Sequence, residues 1–166
     1  MLSQREAKKE LFGYFYTNWK DGLENGLPSS SPALSALTFT VGSQEYIPQV
    51  FFPHIEKRQT TPIDKHFAKI NMLNFSTPQT SLPGGRSSGG GVRFTTSGIC
   101  IVQLFFSKSN YSSVEEDFLT AIAHEMFMGK SSTNIWFRRP TVTQKPEEER
   151  HLRSDVDIEY TFDTYV

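Results

Sequence analysis

Four groupings in this chain carry residue types capable of chemistry. His124-Glu125, in a stretch of helical periodicity, begins like a helical metalloprotease signature. Zinc binding there needs a second imidazole at i+4, so that both rings reach one ion, and position 128 is Met. His124 therefore reads as a surface or hydrogen-bonded helix residue. Asp155, Asp157 and Glu159 alternate along a strand, which places their carboxylates on one face about 7 Å apart. A divalent cation would use oxygen ligands of this kind, but no lysine or further carboxylate stands at a nuclease-type spacing, and plain solvation accounts for such a row. The glycines between Gly84 and Gly91 are not a phosphate cradle. That motif needs Gly-Lys-Ser/Thr opening a helix, whereas Val92-Arg93-Phe94 runs on into a strand. Cys100 is the only cysteine, so no intrachain disulfide exists, and its apolar strand raises the thiol pKa and silences it. No catalytic, metal or cofactor site is expected.

Composition narrows the classes further. A chain of 166 residues is most simply one domain, here 1–166, large enough to bury its own core. Net charge is −1, which gives no overall attraction to nucleic acid. The charge is unevenly placed. Asp155, Asp157, Glu159 and Asp163 crowd the end of the sequence without a basic neighbour, while Arg138, Arg139, Lys145, Arg150 and Arg153 precede them. Fourteen Phe, six Tyr and two Trp supply aromatic mass for a core and for subunit contacts. The absence of a secretory or membrane-spanning apolar run gives the expectation of a protein assembled in a reducing cytoplasm.

The periodicity predicts an α+β fold, a mixed or largely antiparallel sheet flanked by an N-terminal helix and a second helix near 113–128. Ser3 and Glu6 form a capping-box pattern, after which Ala7, Leu11, Tyr14, Phe15 and Trp19 recur at helical spacing until about Asp21-Gly22. Short strands are expected over 37–41 and 45–53, the second at an edge or broken because Pro48 cannot donate to a ladder. A further strand spans 67–75. Ile99 to Phe106 is apolar on both faces and should lie centrally, covered on both sides. Ser112 and Glu115 repeat the capping box, with Val114, Phe118, Leu119, Ile122 and Met126 as the helix's inner face. Asn134 to Val142 is an aromatic strand in which Pro140 marks an edge or bulge. The last strand alternates cleanly: Val156, Ile158, Tyr160 and Phe162 face the core, and Asp155, Asp157, Glu159 and Asp163 face water, a lumen or a cationic partner. Between the strands, about 76–92 is a Gly/Ser/Pro-rich loop containing Pro83, Gly84, Gly85, Arg86, Gly89, Gly90 and Gly91. Its composition cannot fix itself by burial, so it is expected to be mobile in an isolated subunit.

Taken in order, these pieces resemble the tail terminator (tail-completion) proteins of long-tailed bacteriophages. The resemblance covers most of the chain. It rests on the N-terminal helix, Pro48-Gln49-Val50-Phe51-Phe52, the run Gly98 to Phe106, the helix with Phe118-Leu119-Thr120-Ala121-Ile122, Ile135-Trp136-Phe137-Arg138-Arg139-Pro140 and the alternating strand Asp155 to Phe162. It is an order of elements rather than one diagnostic motif, and the loop at 76–91 is longer and richer in glycine than the pattern. The resemblance implies a structural virion protein at the tail–neck junction. Such a protein forms a homo-hexameric ring on the tail tube protein, stops polymerisation, and offers a surface to the head-completion or connector protein. DNA would pass through the lumen without sequence-specific binding, and no membrane is involved. In that setting Asp155, Asp157, Glu159 and Asp163 would line an acidic lumen that repels the duplex, or form a solvated outer face. The loop around Arg86 would order against the tube. Two other readings stay open: a different neck or head-completion adaptor, and a small metal-dependent hydrolase using the C-terminal carboxylates and His124.

Overall fold

Helix α1 (Gln4–Asn25) starts as its sequence predicts, in the computed structural model that describes residues 3–53, 60–76 and 93–165. Ser3 Oγ accepts the Glu6 N–H and the Glu6 carboxylate accepts the Ser3 N–H, closing both halves of the capping box. The helix runs a turn beyond Gly22. That glycine lies against α2 (Ser113–Glu125), where a Cβ would stand 2.8 Å from Ile122 Cγ2, so the bare backbone is a packing device rather than a stop. Gly26, at φ 72°, ends the helix, and its N–H returns to the Gly22 carbonyl.

Two short strands, β1 (Phe39–Val41) and β2 (Gln44–Tyr46), make a separate antiparallel hairpin. Pro48 breaks the chain before β3 (Gln49–Phe51), as the sequence predicts. Its carbonyl accepts the Trp19 indole N–H at 3.1 Å, which ties this break to α1. Strand β3 lies at the edge of the main sheet, parallel to β4 (Phe67–Ser76). The remaining strands, β5 (Arg93–Ser107), β6 (Ile135–Gln144) and β7 (His151–Tyr165), pair antiparallel in the order β3-β4-β5-β7-β6. Strands β5 and β7 match over 15 residues each, from Arg93 opposite Tyr165 to Ser107 opposite His151, and form the spine. Strand β6 is the other edge; its register shifts between Arg138 and Thr141, where Arg139 takes φ 48°. The edge and bulge predicted from Pro140 are therefore present. The fold is α+β.

Both helices lie on one face of this sheet. Ala7, Leu11, Phe15 and Trp19 from α1 and Phe118, Leu119 and Ile122 from α2 join Cys100, Val102, Leu104, Val156, Ile158 and Phe162 in a single hydrophobic cluster. Phe127, just after α2, stacks on Phe15 and meets Phe137 edge-on, joining the two helices to β6. Tyr14 is half-buried beside it, its hydroxyl bonded to the Met126 carbonyl. Gly98 provides one further close approach. A Cβ there would overlap both the Leu73 carbonyl and the Tyr160 hydroxyl, which donates to that carbonyl at 3.0 Å across β5.

Three expectations need correction. Strand β5 is central but not covered on both sides: among the described residues no element packs on its second face, and Ile99 and Ile101 are half-exposed there. Ser112 makes no side-chain cap, and the Glu115 side chain reaches His66 instead of turning back to the Ser112 N–H. Val114 is 62% exposed; it precedes the first turn that meets the sheet. The loop residues Pro83, Gly84, Gly85, Arg86, Gly89, Gly90 and Gly91 lie outside the described residues. Among the described residues no helix is long and apolar enough to cross a membrane.

Candidate functional site

Of the residues singled out for chemistry, the carboxylates of β7 fall on the uncovered face of the sheet, and alternation puts them there. On β7 the core takes Val156, Ile158, Tyr160 and Phe162, so Asp155, Asp157, Glu159 and Asp163 must point to the other side. The structure does bring these four into one row, but they are not alike. Asp155 is only 3% exposed, which corrects its assignment to a water-facing strip. Both of its oxygens accept from the Arg153 guanidinium at 2.8 Å, and Lys145 Nζ approaches to 3.9 Å. Neighbouring side chains fold over it and neutralise it; bonding to Asp155 in turn raises the Arg153 pKa. Asp157 and Asp163 are half-buried, and Asp163 accepts the Thr95 hydroxyl at 2.7 Å. Only Glu159 is exposed.

The rest of this face is mixed. Register sets Ile99 beside Glu159 and Ile101 beside Asp157 on β5, and Arg138 beside Glu159 on β6. Leu73 and Trp136 are 41% and 47% exposed. At the β7 N-terminal end, Phe67 and Phe105 stack at 4.6 Å, with Lys69 lying over both rings and Arg153 over Phe105. The face therefore grades from a cation-capped aromatic end, through a band of isoleucines, to an acidic end.

No metal centre forms from these groups. Among the described residues no three His, Cys, Asp or Glu side chains converge as ligands would, and Asp155 is committed to Arg153. His124 is a half-exposed helix residue whose nearest charged partner is Glu125, at 3.9 Å. Cys100 is fully buried, and burial pushes its pKa far above the ordinary thiol value, with Asp157 adding to the effect.

The structure also assembles a polar cluster that spacing in the sequence does not reveal. His66 is buried; its Nδ1 accepts the Ser107 backbone N–H at 3.0 Å, which leaves the proton on Nε2 to be donated to Glu115 at 2.7 Å. Serine, histidine and glutamate thus meet, but not as a nucleophile relay. The Ser107 hydroxyl donates to the Ile63 carbonyl at 2.9 Å and contacts Ser109, while both imidazole nitrogens are occupied by other partners. The cluster fastens α2 to the segment entering β4. A second clasp was equally hidden. Glu10 accepts from the Ser132 hydroxyl and from the backbone and side-chain N–H groups of Asn134. Partial burial opposes its ionisation, yet these bonds outweigh it and hold its pKa below the usual carboxylate value. Residues 49 and more than 120 positions apart are involved, so only the folded chain shows them.

No protein-family model matches the chain, and no curated protein matches it.

Proposed function

We propose that this chain is a structural subunit that assembles into a ring, caps a phage tail tube, ends its polymerisation and presents a surface for joining the head. Its partners are further copies of itself in a hexamer, the tail tube protein and the head-completion or connector protein, with DNA passing through the lumen. It acts in the virion at the tail–neck junction and is not an enzyme. The observation that supports this reading is the sheet face left without a covering layer among the described residues. A folded domain keeps large part-apolar patches for contact with something else. Here the patch lies on the longest strand pair of the sheet, β5–β7, as suits a subunit that must hold a fixed geometry in an assembly.

Mass by light scattering, followed by electron microscopy with assembled tail tubes, tests the proposal. A six-subunit species seated on tube ends supports it. A protein that ignores tubes at high concentration but binds a purified head connector overturns it in favour of a neck adaptor.

A further inference from the structure

Two surfaces of this molecule are unexplained by its own folding. One is the uncovered sheet face, with Ile99 and Ile101 in the middle and Asp157 and Glu159 beside them. The other is the outer side of α1. About a third of a turn round from its buried stripe the helix presents Arg5, Lys9, Gly13, Tyr16 and Lys20, all exposed and at spacings of four, four, three and four, with Glu6, Thr17 and Glu24 exposed beyond them. Tyr16 is 55% exposed, and only Lys20 has an ion-pair partner on the helix, Glu24 at 3.7 Å. Gly13 is the least expected member. A glycine inside a helix costs about 1 kcal/mol relative to alanine, and among the described residues nothing outside its own stretch of helix lies within 4 Å of the position its Cβ would occupy. No packing among those residues requires it, in contrast to Gly22.

We infer that the outer stripe of α1 docks on the uncovered sheet face of a second copy of this chain. This inference rests on the ring reading and supplies its joint. The charges are complementary: a basic helix side meets an acidic strand row. The lengths match as well. Lys9 to Lys20 spans about 16 Å at helical rise, and Asp157 to Asp163 about 20 Å along a strand. Tyr16 supplies a ring to cover the isoleucines, and Gly13 lets the helix backbone come close to the sheet. The face is better suited to this than to lining a lumen. A wall past which DNA slides gains from carboxylates but nothing from half-exposed Ile99, Ile101, Leu73 and Trp136.

Geometry then fixes the type of assembly. Helix α1 packs on one side of the sheet and the uncovered face is the other. One subunit therefore gives its helix in one direction and receives a helix from the opposite one. Such a contact is heterologous, and it closes into a ring when the rotation per subunit divides a full turn.

Two variants of the full chain, each blocking one surface, make the test. Gly13→Arg fills the helix stripe, and Asp157→Lys with Glu159→Lys reverses the sheet row. These positions are exposed or half-exposed, and thermal melts establish that both variants fold. The expected result by light scattering is an oligomeric wild type, each variant weakened in self-association at least tenfold and monomeric when alone, and a one-to-one mixture that forms dimers and nothing larger. The dimer arises because each variant keeps one intact surface. A wild type that stays monomeric at millimolar concentration overturns the inference, as does a mixture that stays monomeric or a variant that assembles like wild type. Tube capping, seen by electron microscopy, separates the two proposals. Capping that survives in both variants places the subunit contact elsewhere and leaves the ring reading standing. Oligomers built through this contact that ignore tubes remove the tail reading and keep the contact.

Discussion

The two faces of the sheet are made from the same strands and have opposite characters. On one, alternate residues along the middle of β5 and β7 are sealed under two helices: Cys100, Val102, Val156 and Ile158 are all at 0% exposure. On the other, the intervening residues combine isoleucine, aspartate, glutamate and arginine, and most remain partly accessible. A period of two makes this division unavoidable once register is set. The covered face determines whether the chain folds. Beyond the end sealed by the Phe67–Phe105 stack and Asp155, the uncovered face buries less of itself and is available for a partner. Substitutions should therefore separate cleanly by face.

The largest effect is expected from Phe127→Ala. Phe127 is fully buried between α1 and β6, so its loss should lower stability by about 3–5 kcal/mol, read as a fall in denaturation midpoint. Ile101→Ala, on the half-exposed face, should cost less than about 1.5 kcal/mol in the monomer. Equal costs would abolish the contrast between the faces.

Gly98→Ala comes next. Its methyl would meet the Leu73 carbonyl and the Tyr160 hydroxyl on either side of β5, and neither has room to retreat, so a loss of about 2–3 kcal/mol is expected. Tyr160→Phe alone removes one hydrogen bond and should cost about 1 kcal/mol. If Gly98→Ala proves neutral in an equilibrium melt, the tight β4–β5–β7 crossing is not what holds the spine together.

A smaller effect concerns acid. His151 is buried at the start of β7, edge-on to the Phe67 ring, and its Nε2 has no hydrogen-bond partner among the described residues. Burial lowers its pKa from 6.5; the Pro62 carbonyl and Glu148 oppose that shift, and His66 and Lys69 add to it. More than about one unit above pH 6.5 the ring is neutral in both folded and unfolded chains, and pH has little effect through this group. As pH falls below that value the unfolded chain takes up the proton first, so stability declines by no more than about 1.4 kcal/mol per pH unit from this one site. Melting the wild type and His151→Leu between pH 7.5 and 5.5 checks this. The variant should show the flatter profile, and matching slopes would assign the acid sensitivity to another group.

How much of this was legible in the sequence depends on distance along the chain. Patterns within one element were readable: the capping box of α1, the break at Pro48, the bulge near Pro140 and the alternation of β7 are all present. Contacts between elements were not. Ser112 and Glu115 carry a capping-box spacing, but Glu115 finds a buried imidazole 49 positions away, a stronger partner than an exposed backbone N–H. Asp155 reads as one more outward carboxylate until Arg153, two residues before it on the same face, folds over it. The i, i+2 spacing of opposite charges on one strand face was the available signal. The double-sided apolar pattern of β5 was real; what it failed to reveal is that, among the described residues, helices cover only one side.

That missing layer is where the smallest predicted effect has an unusual sign. Gly13→Ala adds a methyl group to open space on an exposed helix turn, so it should stabilise the monomer by about 0.5–1 kcal/mol. If the stripe is a docking surface, the same methyl holds the helix off the neighbouring sheet and weakens self-association, so stability and assembly move in opposite directions. Gly13→Ser should stabilise the monomer less than alanine does but, carrying a larger side chain, weaken self-association at least as much. A helix residue that only faces water would raise stability and leave the mass unchanged. Concentration-dependent light scattering beside a thermal melt of the same samples distinguishes these cases, because the melt reads the methyl's effect on the helix and the mass reads its effect on the contact.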